Sequence, residues 1–197
     1  VTTGSGGWVG VHLGHGDGTF QSPEGYSVIQ GPAEVAVGDF NRDGALDVVT
    51  PIANGQGIMA VLLGKGDGTL QPPRYFSTQG AQPFFHFPTA VAVADLNADG
   101  QLDVAVTDPG VSELALLFGN GDGTFQAPRI VPVGANPRDL AIGDFDGTTF
   151  DLTWAGPPGE FARLIQHPDG TFTRLLKDGT RSEFDAQGIH HKTVDRN

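Results

Sequence analysis

The chain of 197 residues contains no cysteine. Disulfides and thiolate metal sites are therefore excluded, and the redox state of its compartment leaves no trace in the sequence. Basic residues are also scarce: 11 Lys and Arg stand against 23 Asp and Glu, for a formal net charge of −12. A nucleic-acid binder needs a basic face to displace counterions from phosphates, so nucleic acid is excluded as a partner class, and anionic membrane surfaces with it. No apolar run approaches the roughly 18–20 residues of a membrane-spanning helix, so membrane insertion is not expected. The chain opens Val1-Thr2-Thr3 without Met or a recognisable leader, as a processed product does, which leaves room for a removed targeting segment.

The sequence is rich in turn formers. Thirty glycines and fourteen prolines are spread along it, with 38% apolar residues and no long helical periodicity between them. Recurrent short apolar runs argue against disorder and for many strands joined by turns. The runs Val35-Ala36-Val37, Leu46 to Thr50, Met59 to Leu63, Val91 to Ala94, Leu102 to Thr107 and Leu114 to Phe118 have strand length and are bounded by Gly, Pro or Asp.

Two motifs alternate. The first reads Leu13-Gly14-His15-Gly16-Asp17-Gly18-Thr19-Phe20 and returns at Leu63 to Leu70 and at Phe118 to Phe125, with a worn copy at His167 to Phe172. The glycines after Asp are 50, 55 and 47 residues apart. Asp17, Asp67, Asp122 and Asp169 are explained by the turn, and the Asp-Gly pairs predict hairpins of type I′. The second motif reads Asp39-Phe40-Asn41-Arg42-Asp43-Gly44-Ala45-Leu46-Asp47 and recurs from Asp95 to Asp103, with a degenerate copy at Asp144-Phe145-Asp146-Gly147-Thr148-Thr149-Phe150-Asp151. Each period then holds about four antiparallel strands, the blade of a β-propeller.

The paired motifs, "GDFNRDGALDVV" with "LLGKGDGTLQPP" and "ADLNADGQLDVAV" with "LFGNGDGTFQAP", resemble the FG-GAP/VCBS repeats of integrin-α-like propellers over about residues 8–176. The resemblance implies an all-β propeller fold, structural Ca²⁺ in the Asp loops, and adhesion or ligand binding outside the cell, secreted or at its surface. The organisation expected is one propeller domain: a partial blade at 1–30 opening on a third strand (Trp8 to Leu13), blades at about 33–78, 83–133 and 137–176, and a tail at 177–197. About four blades would result, closed by the tail or completed by a neighbouring chain.

Ca²⁺ takes about six to eight oxygen ligands, and acceptors at alternate loop positions wrap around one point. The first loop offers Asp39, Asn41, Asp43, the carbonyl of Ala45, and Asp47. The second offers Asp95, Asn97, Asp99, the carbonyl of Gln101, and Asp103. In the third, Asp144 and Asp146 keep the first two positions, but Asp151 comes one residue early, so weakened or lost binding is expected. An EF-hand would need Glu at loop position 12, where Thr50 and Val106 stand. Metal-free Asx-rich turns are the alternative, against which stands the mutual repulsion of three carboxylates within nine residues.

The interval from turn glycine to Asp loop is 21 residues in two periods and 27 in the middle one. The extra residues include Phe84, Phe85, His86 and Phe87. Strand order places them at the end opposite the Asp loops, near the 2–3 loops, where exposed aromatics suit a ligand; burial between blades is the competing expectation. The six histidines have no metal-ligand spacing, and no nucleophile motif stands out. A non-enzymatic binding or adhesion module for protein or glycan ligands is therefore expected. Alternatives are a structural subunit assembling with its own copies by strand or tail exchange and, less favoured, a hydrolase or lyase.

Overall fold

The computed structural model describes residues 1–4, 6–80, 85–143, 151–155, 161–166, 171–176, 181–184 and 190–194. Its described elements are all β. The first sheet has three strands, β1 (Thr2–Gly4), β2 (Trp8–Val11) and β3 (Glu24–Ser27). The second has four, β4 (Ala36–Gly38), β5 (Asp47–Ile52), β6 (Ile58–Leu62) and β7 (Arg74–Ser77). The third repeats it with β8 (Val91–Ala94), β9 (Asp103–Asp108), β10 (Glu113–Leu117) and β11 (Arg129–Pro132). The last runs through β12 (Asp139–Gly143), β13 (Asp151–Ala155), β14 (Phe161–Gln166), β15 (Phe172–Leu176), β16 (Arg181–Phe184) and β17 (His190–Val194).

Neighbouring strands in every sheet follow one another in sequence and pair antiparallel, as propeller blades do. Strands β5 and β9 are buried at every position. Their apolar runs do not alternate because both faces of an inner blade meet a neighbour. Three clusters fill the spaces between sheets. Val9 packs with Val48, Ile52 and Leu62 between the first two. Phe40, Met59 and Val61 meet Val104, Val106 and Leu117 between the second and third. Leu114, Leu116 and Phe118 meet Leu140, Ile142 and Phe184 at the last.

Two expectations need correction. The first sheet opens one strand earlier than expected, because Thr2–Gly4 pairs with Trp8–Gly10 although three small residues give no periodic signal. Among the described residues the tail does not pair with the first blade: β16 pairs β15, β17 pairs β16, and the last sheet grows to six strands. Among the described residues, nothing pairs with the free edge of β1.

Candidate functional site

Each well-formed Asp loop joins the first two strands of its blade, and the two share one hydrogen-bond pattern. Asp39 Oδ1 accepts the Asp43 N–H (3.1 Å) and Oδ2 the Gly44 N–H (2.9 Å). Asn41 Oδ1 also accepts the Asp43 N–H, and Asn41 Nδ2 donates to Asp43 Oδ2 (2.7 Å). Asp43 Oδ1 accepts from Ala45 N–H (2.8 Å). Asp95, Asn97 and Asp99 repeat every one of these contacts. Gly44 and Gly100 lie at positive φ, as the sharp turn requires; so do Arg42 (61°) and Ala98 (59°), which the sequence did not announce.

The last aspartate of each loop differs from the others. Asp47 and Asp103 are fully buried. Asp47 Oδ2 accepts from Phe40 N–H (2.8 Å) at the loop start, while Oδ1 accepts from Gly64 N–H (2.7 Å), the first glycine of the turn between β6 and β7. Asp103 bridges Leu96 N–H (2.8 Å) and Gly119 N–H (2.8 Å) in the same way. One carboxylate thus latches the Asp loop to the glycine turn, which gives a physical reason for the two motifs to travel together.

The donor set fits a hard divalent cation. It is all oxygen, and each hydrogen-bonded carboxylate oxygen keeps lone-pair capacity. Burial pushes Asp103 up to about 6, its two backbone N–H bonds oppose this, and the charges of Asp99 and Asp95 add to it. Asp47 is raised for the same reasons, with Asp43 and Asp39 as the like charges. Among the described residues, however, no three carboxylates or imidazoles are gathered as a ready-made cage; the loop side chains face backbone N–H groups instead. A sign follows for the calcium-free protein. Between an unfolded Asp value of about 3.9 and the folded value of about 6, the native state holds a proton that the unfolded state has lost, so Asp103's contribution to stability falls as pH rises through that window. A carbon-detected NMR titration in chelator is expected to give the Asp103 carboxyl a midpoint near 6, and a midpoint near 4 would contradict this.

Asp144 and Asp146 lie outside the described residues, as does the side chain of Asp151, so the third loop is not described. In the described glycine turns Asp17, Asp67 and Asp122 do not take the positive-φ positions of a type I′ pair, and Asp169 lies outside the described residues. Gly66 and Gly68 take positive φ instead, as do Gly16, Gly18, Gly121 and Gly123. Asp67 Oδ1 instead accepts from Thr69 N–H (2.9 Å) and the Thr69 hydroxyl (2.6 Å), which hold its carboxyl below the ordinary value.

At the opposite end, the insertion before β8 meets the loops that strand order assigned to it. Phe85 is 79% and Phe87 43% exposed. A Cβ on Gly55, in the β5–β6 loop, would sit 3.2 Å from Phe85, and the Phe85 carbonyl and Phe87 ring lie against Gly110 of the β9–β10 loop. His86 departs from the expectation that it joins this exposed face: it is 1% exposed. Its Nδ1 is 2.8 Å from Asp108 Oδ2, and its backbone bridges Gly55 and Gln56. Asp108 Oδ1 also accepts from Phe87 N–H (3.1 Å) and Gly110 N–H (2.9 Å). Alternation along the segment turns His86 inward as an anchor and its two neighbours outward. Phe84 lies outside the described residues.

Residues 1–50 and 95–150, more than half of the chain, match the FG-GAP-like repeat. The chain belongs to this family. Among solved structures, it is similar to BBS1N in a crystal structure of its complex with ARL6DN soaked with mercury: TM-score 0.51 at 10% identity over 91% of this chain and 60% of that one. The same complex soaked with lead gives a TM-score of 0.49 at 10% identity, over 90% and 58%. At that identity the first likeness concerns the fold alone, a propeller, and the chain spans about 60% of that propeller chain's length. No match was found among curated proteins. The sequence located both Asp loops, which fall in the matched residues, and the aromatic insertion, which lies between them. It missed the latch; the only hint was the near-constant interval from Asp47 to Gly64 and from Asp103 to Gly119.

Proposed function

We propose that this chain is a calcium-stabilised propeller module that works outside the cell or at its surface, without catalysis, and binds a protein or glycan through Phe85 and Phe87. The observation that carries the ligand face is the His86–Asp108 anchor. It fixes two exposed aromatic rings on a segment tied to two neighbouring loops, so little side-chain or loop freedom remains to be lost on binding. The similar propeller BBS1N was crystallised with a protein, ARL6DN, which favours a protein ligand over a glycan. Ca²⁺ would be held by Asp39, Asn41, Asp43, the Ala45 carbonyl and Asp47 in one loop, and by Asp95, Asn97, Asp99, the Gln101 carbonyl and Asp103 in the other. Its bound charge would offset the carboxylates there. The third loop, with Asp144, Asp146 and Asp151, would bind weakly.

The test uses arrays of extracellular-matrix proteins and of glycans, probed in calcium and in chelator. Binding to at least one arrayed ligand is expected, with the double change Phe85→Ser and Phe87→Ser reducing it at least tenfold while the melting temperature holds. Retained binding in that variant would remove the aromatic face from the proposal.

A second reading, a subunit that assembles by strand exchange between copies, is favoured by the first blade. Leu13 is 39% exposed where its repeat counterparts Leu63 and Phe118 are 5% and 2%. Beside it, a cavity of about 320 Å³ is lined by Val11, Leu13, Val37, Leu46 and Leu70. In the second blade, Phe40 of the Asp loop packs in the same cluster as Leu63. Sedimentation separates the readings: a concentration-independent monomer supports the binding module and a concentration-dependent polymer the subunit.

A further inference from the structure

The outward face of the first blade has abandoned the chemistry of blade stacking. In the second blade the equivalent face carries Val48, Ile52, Ala60 and Leu62, each at most 2% exposed and packed toward Val9 of the first blade. The registers Ile52↔Ile58, Thr50↔Ala60 and Ala60↔Tyr75 correspond in the first blade to Gly4↔Trp8, Thr2↔Gly10 and Gly10↔Gly25. Ile52 is thus replaced by Gly4, Ala60 by Gly10, Tyr75 by Gly25, and Ile58 by Trp8. Leu62 gives way to His12. A second apolar sheet finds almost nothing to interdigitate with on such a surface.

The glycines make a seat for one ring. A Cβ on either Gly4 or Gly10 would overlap the Trp8 indole, so the ring lies against the backbone of β1 and β2. Trp8 nevertheless remains 37% exposed. Beside it, the exposed Thr2 Oγ1 is hydrogen-bonded at 3.1 Å to Nε2 of the half-buried His12. Ser27 stands opposite Trp8 on β3. Among the described residues of this face, the imidazole is the one ionisable side chain.

We propose that the Trp8 face is a binding site for a neutral saccharide, with a pyranose ring stacked on the indole and its hydroxyls meeting Thr2, His12 and Ser27. The occupant follows from shape, charge and area. A fixed aromatic plane rimmed by hydroxyl and imidazole groups matches a ring that is apolar on its faces and polar at its edge. The near absence of charge disfavours anionic ligands. Three strands about 4.8 Å apart, one of three residues and two of four, offer roughly 150 Å², well short of the about 800 Å² per partner of a stable protein interface. The site is separate from Phe85 and Phe87, and its failure would leave that proposal intact.

The test titrates the 197-residue chain with neutral hexasaccharides of β-1,4-glucose, β-1,3-glucose, β-1,4-mannose and α-1,4-glucose, followed by calorimetry and tryptophan fluorescence. At least one is expected to bind and to change the emission. Trp8→Ala should weaken it at least tenfold, Trp8→Phe less, and Gly10→Ala should weaken it by lifting the ring while keeping the tryptophan. Trp154→Phe should leave binding unchanged. If Trp8→Ala fails to fold, Trp8→Phe and Gly10→Ala decide alone. Three results would overturn the proposal: no binding of any of the four at millimolar concentration, affinity unchanged in the Trp8 and Gly10 variants, or loss of a self-associated dimer in the Trp8 variants, which would make this face an interface between copies.

Discussion

Asp103→Asn is expected to lower the unfolding free energy by about 2–4 kcal/mol in chelator, with no metal involved. The carboxylate is fully buried and accepts two backbone N–H groups, from Leu96 and Gly119, on opposite oxygens. An amide keeps one acceptor and turns an NH₂ toward the other N–H, leaving that donor unsatisfied. Relief of the repulsion from Asp95 and Asp99 offsets part of the loss. For a domain of this size the midpoint should fall by roughly 5–15 °C. Asp47→Asn should behave alike, since Phe40 and Gly64 hold it in the same way. Asp99→Asn is the control. Its Oδ1 accepts the Gln101 N–H, a bond an amide oxygen keeps, and the bond its Oδ2 accepts from Asn97 Nδ2 is exposed, where water replaces a lost partner, so its cost in chelator should stay within about 0.5 kcal/mol. Thermal unfolding of the three variants in chelator checks this ranking, and equal losses at Asp99 and Asp103 would refute the latch.

Calcium should produce an effect of similar size with the opposite sign. A cation that binds only the folded state stabilises by about 2.7 kcal/mol per site at a free concentration one hundred times its dissociation constant. Two intact loops then give about 5 kcal/mol, a rise in midpoint of roughly 10–20 °C that chelator reverses. Mg²⁺ should do less, because it demands a tighter octahedral cage and gives up water reluctantly. The net charge of −12 makes non-specific cation binding a competing cause, so ionic strength must be matched with a monovalent salt. Asp43→Ala combined with Asp99→Ala should abolish the calcium-dependent rise while costing little in chelator. A rise that survives that double substitution, or no calorimetric heat of calcium binding, would remove the metal from the proposal. Together the two experiments would separate roles that the sequence merged: on the proposed function Asp43 and Asp99 act through the cation, whereas the latch of Asp47 and Asp103 acts also without it.

The sequence by itself determined whatever repeats or alternates locally. Two motifs in fixed order established the blades. Apolar runs between Gly, Pro and Asp located β5, β6, β8, β9 and β10 to within a residue or two at either end, because strand length and turn chemistry are short-range properties. Antiparallel order also assigned Phe85 and Phe87 to the end opposite the Asp loops, since each reversal of the chain is fixed by the one before. Tertiary structure alone decided how those positions are used. Asp103 and Gly119 are 16 residues apart, and only the pairing of β9 with β10 brings carboxylate and N–H within 2.8 Å. The burial of His86 depends on Asp108, 22 residues away on another strand. The Trp8 platform depends on glycines from two strands falling under one ring. The addition of β16 and β17 to the last sheet came from pairing between consecutive strands, in a tail that carries neither motif. The carboxylate latch and the His86 anchor join residues 16 and 22 apart, which no local spacing encodes, and the Trp8 platform depends on which sheet face a ring takes, which the spacing of small residues does not announce.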